Sequence, residues 1–193
     1  MESFETDNSY KIDALGFRLK KAGIDISKWG TGGYKTIDHL LAEIECQEAI
    51  LATDANGELL RKVEVVGAAI YHLTDDGNKY YLLEEKQIYI DGRERRRLAI
   101  NNRSVFEKKK PNESPTEAMI RGVREELGLG GDIYLEETDT YHKIADSDSY
   151  PGLKAESTFY MFESILTQEQ FNPDGYIERQ PDKTTYFTWV KIE

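Results

Sequence analysis

Two adjacent glutamates, Glu125 and Glu126, lie in the run RGVREELGLGG (121–131), after Arg121 and Gly122. Near the C-terminal end of a helix, neighbouring carboxylates repel each other and face the dipole end that disfavours anions. The plain reading of such a pair is a solvated surface feature. A hard divalent cation would relieve both repulsions, because carboxylate oxygens are the donors that Mg2+ and Mn2+ take. Gly122 bears on this choice. At about 100° per residue it falls between the two glutamates on the helix, so a long side chain there would fill the space between them. Glycine is expected to leave that space open. A mid-helix glycine costs about 1 kcal/mol relative to alanine, so its presence asks for a reason.

The helix that positions these residues is well delimited. Ser114-Pro115-Thr116-Glu117 reads as a capping box with proline at the first helical position, and Gly128 stands just past the end. The spacing predicts a helix over 115–127. Its expected sheet-facing side is Thr116, Ile120, Val123 and Leu127, with Met119 beside them. Ala118, Gly122 and Glu125, flanked by Arg121 and Glu126, fall on the opposite side.

The strands are read from alternating runs. RKVEVVGAAIYHL (61–73), a turn at Asp76-Gly77 and YYLLEEKQIYI (80–90) predict a hairpin. DGRE turns again and RRLAI (96–100) pairs back. DIYLEETDTYHKI (132–144) and STFYMFESIL (157–166) are two further strands, joined by a loop that contains DSDSYPGL. TTYFTWVKIE (184–193) is a terminal strand. Before these, YKIDALGFRLKKAGI (10–24) reads as a short helix ending near Gly23, and KWGTGGYK as a loop. Residues 36–50 read as an amphipathic helix with Ile37, Leu40, Leu41, Ile44 and Ala49 on one stripe, packing on the main domain. The single cysteine, Cys46, is expected as a small packed side chain. The expected class is α/β (α+β), with five or six mostly antiparallel strands. The expected organisation is an N-terminal helical extension over 1–60 and a second domain over 61–193.

The run EKKKPNESPTEAMIRGVREELGL (107–129) resembles the Nudix box. That family's pattern is Gly, five residues, Glu, seven residues, then Arg-Glu-apolar-any-Glu-Glu-any-Gly-apolar. Glu113, Arg121, Val123, Glu125, Glu126, Gly128 and Leu129 match in register. Two positions depart: the leading Gly is Glu107, and the Glu after the Arg is Gly122. The resemblance implies a Nudix-like mixed β-sheet sandwiched by helices, and a hydrolase of a nucleoside diphosphate linked to another group. It implies Glu125 and Glu126 as ligands of Mg2+ or Mn2+, Arg121 as a brace of the acidic cluster, and Glu113 as a member of that network. Position 122 is a principal metal ligand in the family. Glu107, Glu117, Glu163, Asp174 and Glu178 are all candidates to replace it, and the sequence does not rank them. The resemblance leaves the first 60 residues uncovered.

Charge adds a second candidate feature. Residues 93–110 hold eight basic and two acidic side chains, a local +6 in a chain whose net charge is −11. Such a segment beside the box is a candidate phosphate site, with Arg95, Arg97, Arg103 and Lys108 as the selected partners and Arg93, Arg96, Lys109 and Lys110 as further members. The bland alternative is a solvated hairpin whose charges block aggregation. Tyr80, Tyr81 and Tyr89 are candidate stacking rings for a base, and packing is their ordinary role. The loop DSDSYPGL is a candidate substrate lip, or a plain turn.

The overall negative charge speaks against binding nucleic acid through bulk electrostatics, so no DNA partner is expected. One cysteine permits no disulfide within the chain. No apolar run approaches the ~20 residues of a membrane span, and no secretory signal pattern opens the chain, so a cytoplasmic location is the default expectation. The expected partner is a phosphorylated small molecule or nucleotide, and oligomeric state is left open. Three functional readings stand at this point: a metal-dependent Nudix-type hydrolase with altered ligation, a catalytically impaired Nudix-like binding module for a nucleotide or other phosphorylated ligand, and a domain whose N-terminal part mediates a protein contact.

Overall fold

The computed structural model describes residues 2–96 and 104–192, with side chains from Asn8 onward. Its elements in chain order are α1 (Glu2–Lys21), α2 (Ile37–Glu45), β1 (Ile50–Thr53), β2 (Leu59–Leu73), β3 (Lys79–Tyr89), β4 (Glu94–Arg96), β5 (Val105–Lys108), α3 (Pro115–Leu127), β6 (Glu136–Asp146), β7 (Lys154–Leu166), β8 (Tyr176–Arg179) and β9 (Lys183–Ile192). The chain adopts the α+β class expected from its sequence. It divides into two compact units, one of residues 1–64 and 141–158, the other of residues 65–140 and 159–193.

Three strands were not legible in the sequence. β1, β5 and β8 are each four residues long, too short to show an alternation. Residues 97–100 of the expected RRLAI strand lie outside the described residues, and only Glu94–Arg96 is seen to pair back on β3.

In the first unit α1 starts well before the predicted helix, and α2 ends before its predicted limit. Cys46 caps α2 and is exposed rather than packed, and Gln47 follows with φ 57°. That left-handed residue turns the chain, so Ala49 lies beyond the helix and Ile50 opens β1. The core of this unit is Leu15 and Leu19 of α1, Leu40 and Leu41 of α2, Leu51, Leu59 and Trp29, closed by Tyr150 and Leu153. Tyr150 is fully buried and packs its ring 5.0 Å from that of Trp29, whose indole N–H donates to the Pro151 carbonyl. The DSDSYPGL loop is therefore anchored by core packing of Tyr150 and Leu153. Glu43 is buried there with Arg61 at 2.6 Å and Lys35 at 2.7 Å, the pairing that a buried carboxylate requires.

The strands of the sheet lie in the order β6-β7-β2-β3-β9-β8, with β1 and β5 paired to β2 and β4 paired to β3. The Asp76-Gly77 turn closes the β2–β3 hairpin, with Tyr71 opposite Tyr81, as the sequence predicts. Tyr81 is buried against Tyr71, so packing is its role. The main core places Ala118, Met119, Val123 and Leu127 of α3 against Val66, Ile70, Leu82, Val105, Phe162 and Phe187 of the sheet.

Candidate functional site

The helix α3 spans the predicted residues. Ser114 Oγ accepts from Glu117 N at 3.2 Å, Glu117 returns the bond by accepting from Ser114 N at 2.7 Å, and Gly128 ends the helix in the left-handed region at φ 65°. Its buried face differs from the expectation. Thr116 is exposed and Ile120 only half-buried, whereas Ala118 and Gly122 are buried. The helix packs on β5 and β8, and two small residues allow that close approach.

Gly122 does not open a space. A Cβ built on it would lie 2.9 Å from Glu107 Cβ and 3.4 Å from Glu107 Cγ. The volume beside Gly122 is taken by the side chain of Glu107, which arrives from β5. The glycine is thus explained by packing against a carboxylate-bearing residue.

Arg121 organises the acidic residues of the box. Its Nε and one terminal nitrogen donate to the two Glu113 oxygens at 3.2 and 2.8 Å, a bidentate pair. The same terminal nitrogen donates to the Lys108 carbonyl at 2.9 Å, and the other donates to Glu125 Oε2 at 3.2 Å. That second nitrogen also stands 3.6 Å from Glu107 Oε2. One guanidinium therefore ties α3, the loop before it and β5 together. Its hydrogen bonds hold Glu113 below the usual carboxylate range and raise the guanidinium's own pKa.

Beyond this brace lies a cavity of about 220 Å3, lined by Glu125 and Glu126 of α3, Phe106 and Glu107 of β5, Glu84 and Gln87 of β3, Glu178 of β8, Gln180, and Lys183 and Thr185 of β9. Strand pairing produces this convergence. Arg95 stands opposite Gln87, Gln87 opposite Thr185, and Thr185 opposite Glu178, so a single row crosses four strands on one face. A register shift between Glu84 and Lys86 places Glu84 opposite Phe187, two residues along β9 from Thr185. Without that bulge, Glu84 and Gln87 would point to opposite faces.

The electrostatics of the cavity are those of crowded carboxylates. Burial, followed by the charges of Glu178, Glu107 and Glu84, pushes Glu126 up to about 9, and Lys183 opposes this weakly. Glu125 is more exposed and shares Arg121. Among the described residues no three His, Cys, Asp or Glu side chains converge on one point as a closed metal cage. The donor chemistry nevertheless suits a hard cation, since it is all oxygen. Thr185 adds a neutral oxygen: it is 2% exposed, and its Oγ1 has no hydrogen-bond partner among the described residues.

The structure thus brings together Glu125, Glu126, Arg121 and Glu113. Of the basic candidates, Arg95 is exposed at the end of the cross-strand row, while Arg97 and Arg103 lie outside the described residues. Lys108 accepts from Arg121 through its carbonyl and does not line the cavity. Arg93 and Arg96 pair with Asp91, Glu94 and Glu85. Among the candidate replacement carboxylates, Glu107 and Glu178 line the cavity. Glu117 is engaged in the helix cap, and neither Glu163 nor Asp174 reaches the cavity lining. Glu84, Gln87, Phe106, Lys183 and Thr185 were missed by the sequence reading. Alternation along TTYFTWVKIE does place Thr185 and Phe187 on one face, but nothing local says which face meets α3.

No helix among the described residues is long and apolar enough to cross a membrane. No family model matches the chain, and no curated protein does. Solved structures do. A C. elegans Ap4A hydrolase is 16% identical, over 67% of this chain and 80% of that one, at a TM-score of 0.37. A MutT/nudix family protein from Enterococcus faecalis is 12% identical, over 80% of this chain and 51% of that one, at a TM-score of 0.46. The NUDIX domain of Shewanella oneidensis NrtR, complexed with ADP ribose, is 11% identical, over 67% and 73%, at a TM-score of 0.36. Two of these three carry the Nudix name, that of the family whose box the run 107–129 resembles.

Proposed function

We propose that the chain is a Nudix-type hydrolase that cleaves the diphosphate of a nucleoside diphosphate linked to another group, with Mg2+ or Mn2+ as cofactor. The observation that carries this reading is the gathering of Glu125 and Glu126 with the strand carboxylates Glu84, Glu107 and Glu178 around one cavity beside the Arg121 brace. When bound, the cation supplies charge neutralisation for the diphosphate and activation of water.

The chain's own residues do the rest. Glu125 and Glu126 offer oxygen ligands. Arg121 and Glu113 position the helix against β5 and keep those ligands in place. Lys183, in the cavity wall, and Arg95, at the end of the row, offer charge to phosphate oxygens. Arg97 and Arg103 are further phosphate partners in this reading.

The glycine at 122 supports a second reading, a binding module that keeps the anion groove without turnover. A screen of nucleoside diphosphate-linked compounds with Mg2+ or Mn2+ separates the two by mononucleotide release. The expected result is release that is lost in Glu125→Gln and Glu126→Gln, together with calorimetric Mn2+ binding that both changes weaken. Ligand binding without release favours the module. Mn2+ affinity that is equal in wild type and both variants overturns the cation site.

A further inference from the structure

The two departures from the box pattern meet in space. Glu107 stands where the pattern has glycine, and Gly122 stands where it has glutamate. Position 122 has no room for a side chain while Glu107 is present, since a Cβ there would lie 2.9 Å from Glu107 Cβ. One volume is served by two positions, and only one of them carries a side chain. Against the box pattern, the helix lacks a carboxylate at 122 and the neighbouring strand carries one at 107.

We propose that Glu107 supplies from β5 the cation ligand for which α3 has no side chain at 122, acting with Glu126 and Glu178 in a site whose wall includes Thr185. This rests on the functional reading above and names a ligand that the box pattern does not contain. The Glu107 carboxylate is already oriented: Oε1 accepts from Lys108 N at 2.7 Å, and Oε2 lies 3.6 Å from an Arg121 nitrogen. Its side chain shares the cavity wall with Glu126 and Glu178.

Thr185 is the independent sign that something binds there. A hydroxyl on a 2% exposed residue ordinarily finds a partner inside the protein, and Oγ1 finds none among the described residues, while Thr185 is part of the cavity wall. A cation, or an oxygen that a cation carries, satisfies it. Among the described residues the carboxylates do not converge on one point in this conformation. The long glutamate side chains supply the rotation needed to close around a cation.

The test is Mn2+ titration of the full chain, followed by electron paramagnetic resonance of free Mn2+, with circular dichroism confirming the fold of each variant. Glu107→Gln keeps shape and removes charge. Its affinity should fall by about tenfold or more, the least that even an outer-shell loss typically does at a metal site. The exchange E107G/G122E should bind more tightly than E107G alone, because it returns the carboxylate to the same volume from the other side. Equal Mn2+ affinity in wild type and E107Q overturns the assignment of Glu107 while leaving the hydrolase reading standing. A folded double exchange no tighter than E107G overturns the reciprocity. Absence of Mn2+ binding by the wild type overturns the functional reading and this inference together.

Discussion

Glu126 is the residue at which the cavity's electrostatics accumulate. Burial and three neighbouring carboxylates raise its pKa to about 9, so without a bound cation the fold holds a proton that the unfolded chain gives up near the ordinary carboxylate value of 4.5. Between those values the native state binds more protons than the unfolded state, so stability falls as pH rises. The contribution is fully present below about pH 4.5 and is lost as pH rises through about 9. In Glu126→Gln this slope should disappear. Thermal melts in a chelator should then show the variant gaining on the wild type as pH is raised, with added Mn2+ reversing the order at alkaline pH. Parallel melting curves for the two proteins from acid to alkaline pH would show that Glu126 is as free to ionise in the fold as in the unfolded chain. Arg121 has the complementary role. Its bidentate contact and its reach to the Lys108 carbonyl make it a geometric brace, which a lysine at that position could not reproduce.

The element that decides the site is α3 together with β5. By helix propensity alone, Gly122→Ala should stabilise α3 by up to about 1 kcal/mol. The structure reverses that sign, because the new Cβ would meet Glu107 Cβ at 2.9 Å, and a Cβ cannot rotate away as a side-chain tip does. Gly122→Ala is therefore expected to lower the melting temperature in the wild-type background and to raise it in an E107G background. Such sign reversal is the mark of direct coupling between two positions. By the same steric argument, glutamate fits at 122 only when Glu107 is removed. A stabilising Gly122→Ala in the wild type would show that the helix and strand are less closely packed than the geometry states. The bulge in β3 is the second decisive local feature, because it turns Glu84 and Gln87 to one face.

At the scale of the whole molecule, the net charge of −11 opposes the approach of a phosphorylated ligand, and the +6 segment at 93–110 lies beside the box in sequence. Within it Arg95 stands in the row that leads through Gln87 and Thr185 to Glu178. Charge reversal, Arg95→Glu, should weaken the binding of a nucleoside diphosphate in the presence of Mn2+. The deficit should shrink as salt is raised from about 0.01 M to about 1 M, where the Debye length falls from about 30 Å to about 3 Å. Affinity unchanged at low salt would return Arg95 to a solvated edge-strand charge.

Features governed by local interactions were legible along the chain. The capping box at Ser114–Glu117 and the glycine stop at Gly128 bounded α3, because each signal acts within one turn of helix. The Asp76-Gly77 turn marked the β2–β3 hairpin for the same reason, and the spacing of Arg121, Glu125 and Glu126 followed from one helical repeat. Only the tertiary structure decided the contact between Glu107 and Gly122, the face of α3 that is buried, and the row of Arg95, Gln87, Thr185 and Glu178. These depend on strand register, on a bulge that breaks alternation, and on which strands become neighbours. Such choices are made by non-local burial and hydrogen bonding, so residues far apart in the chain acquire a common chemistry that neither segment carries alone.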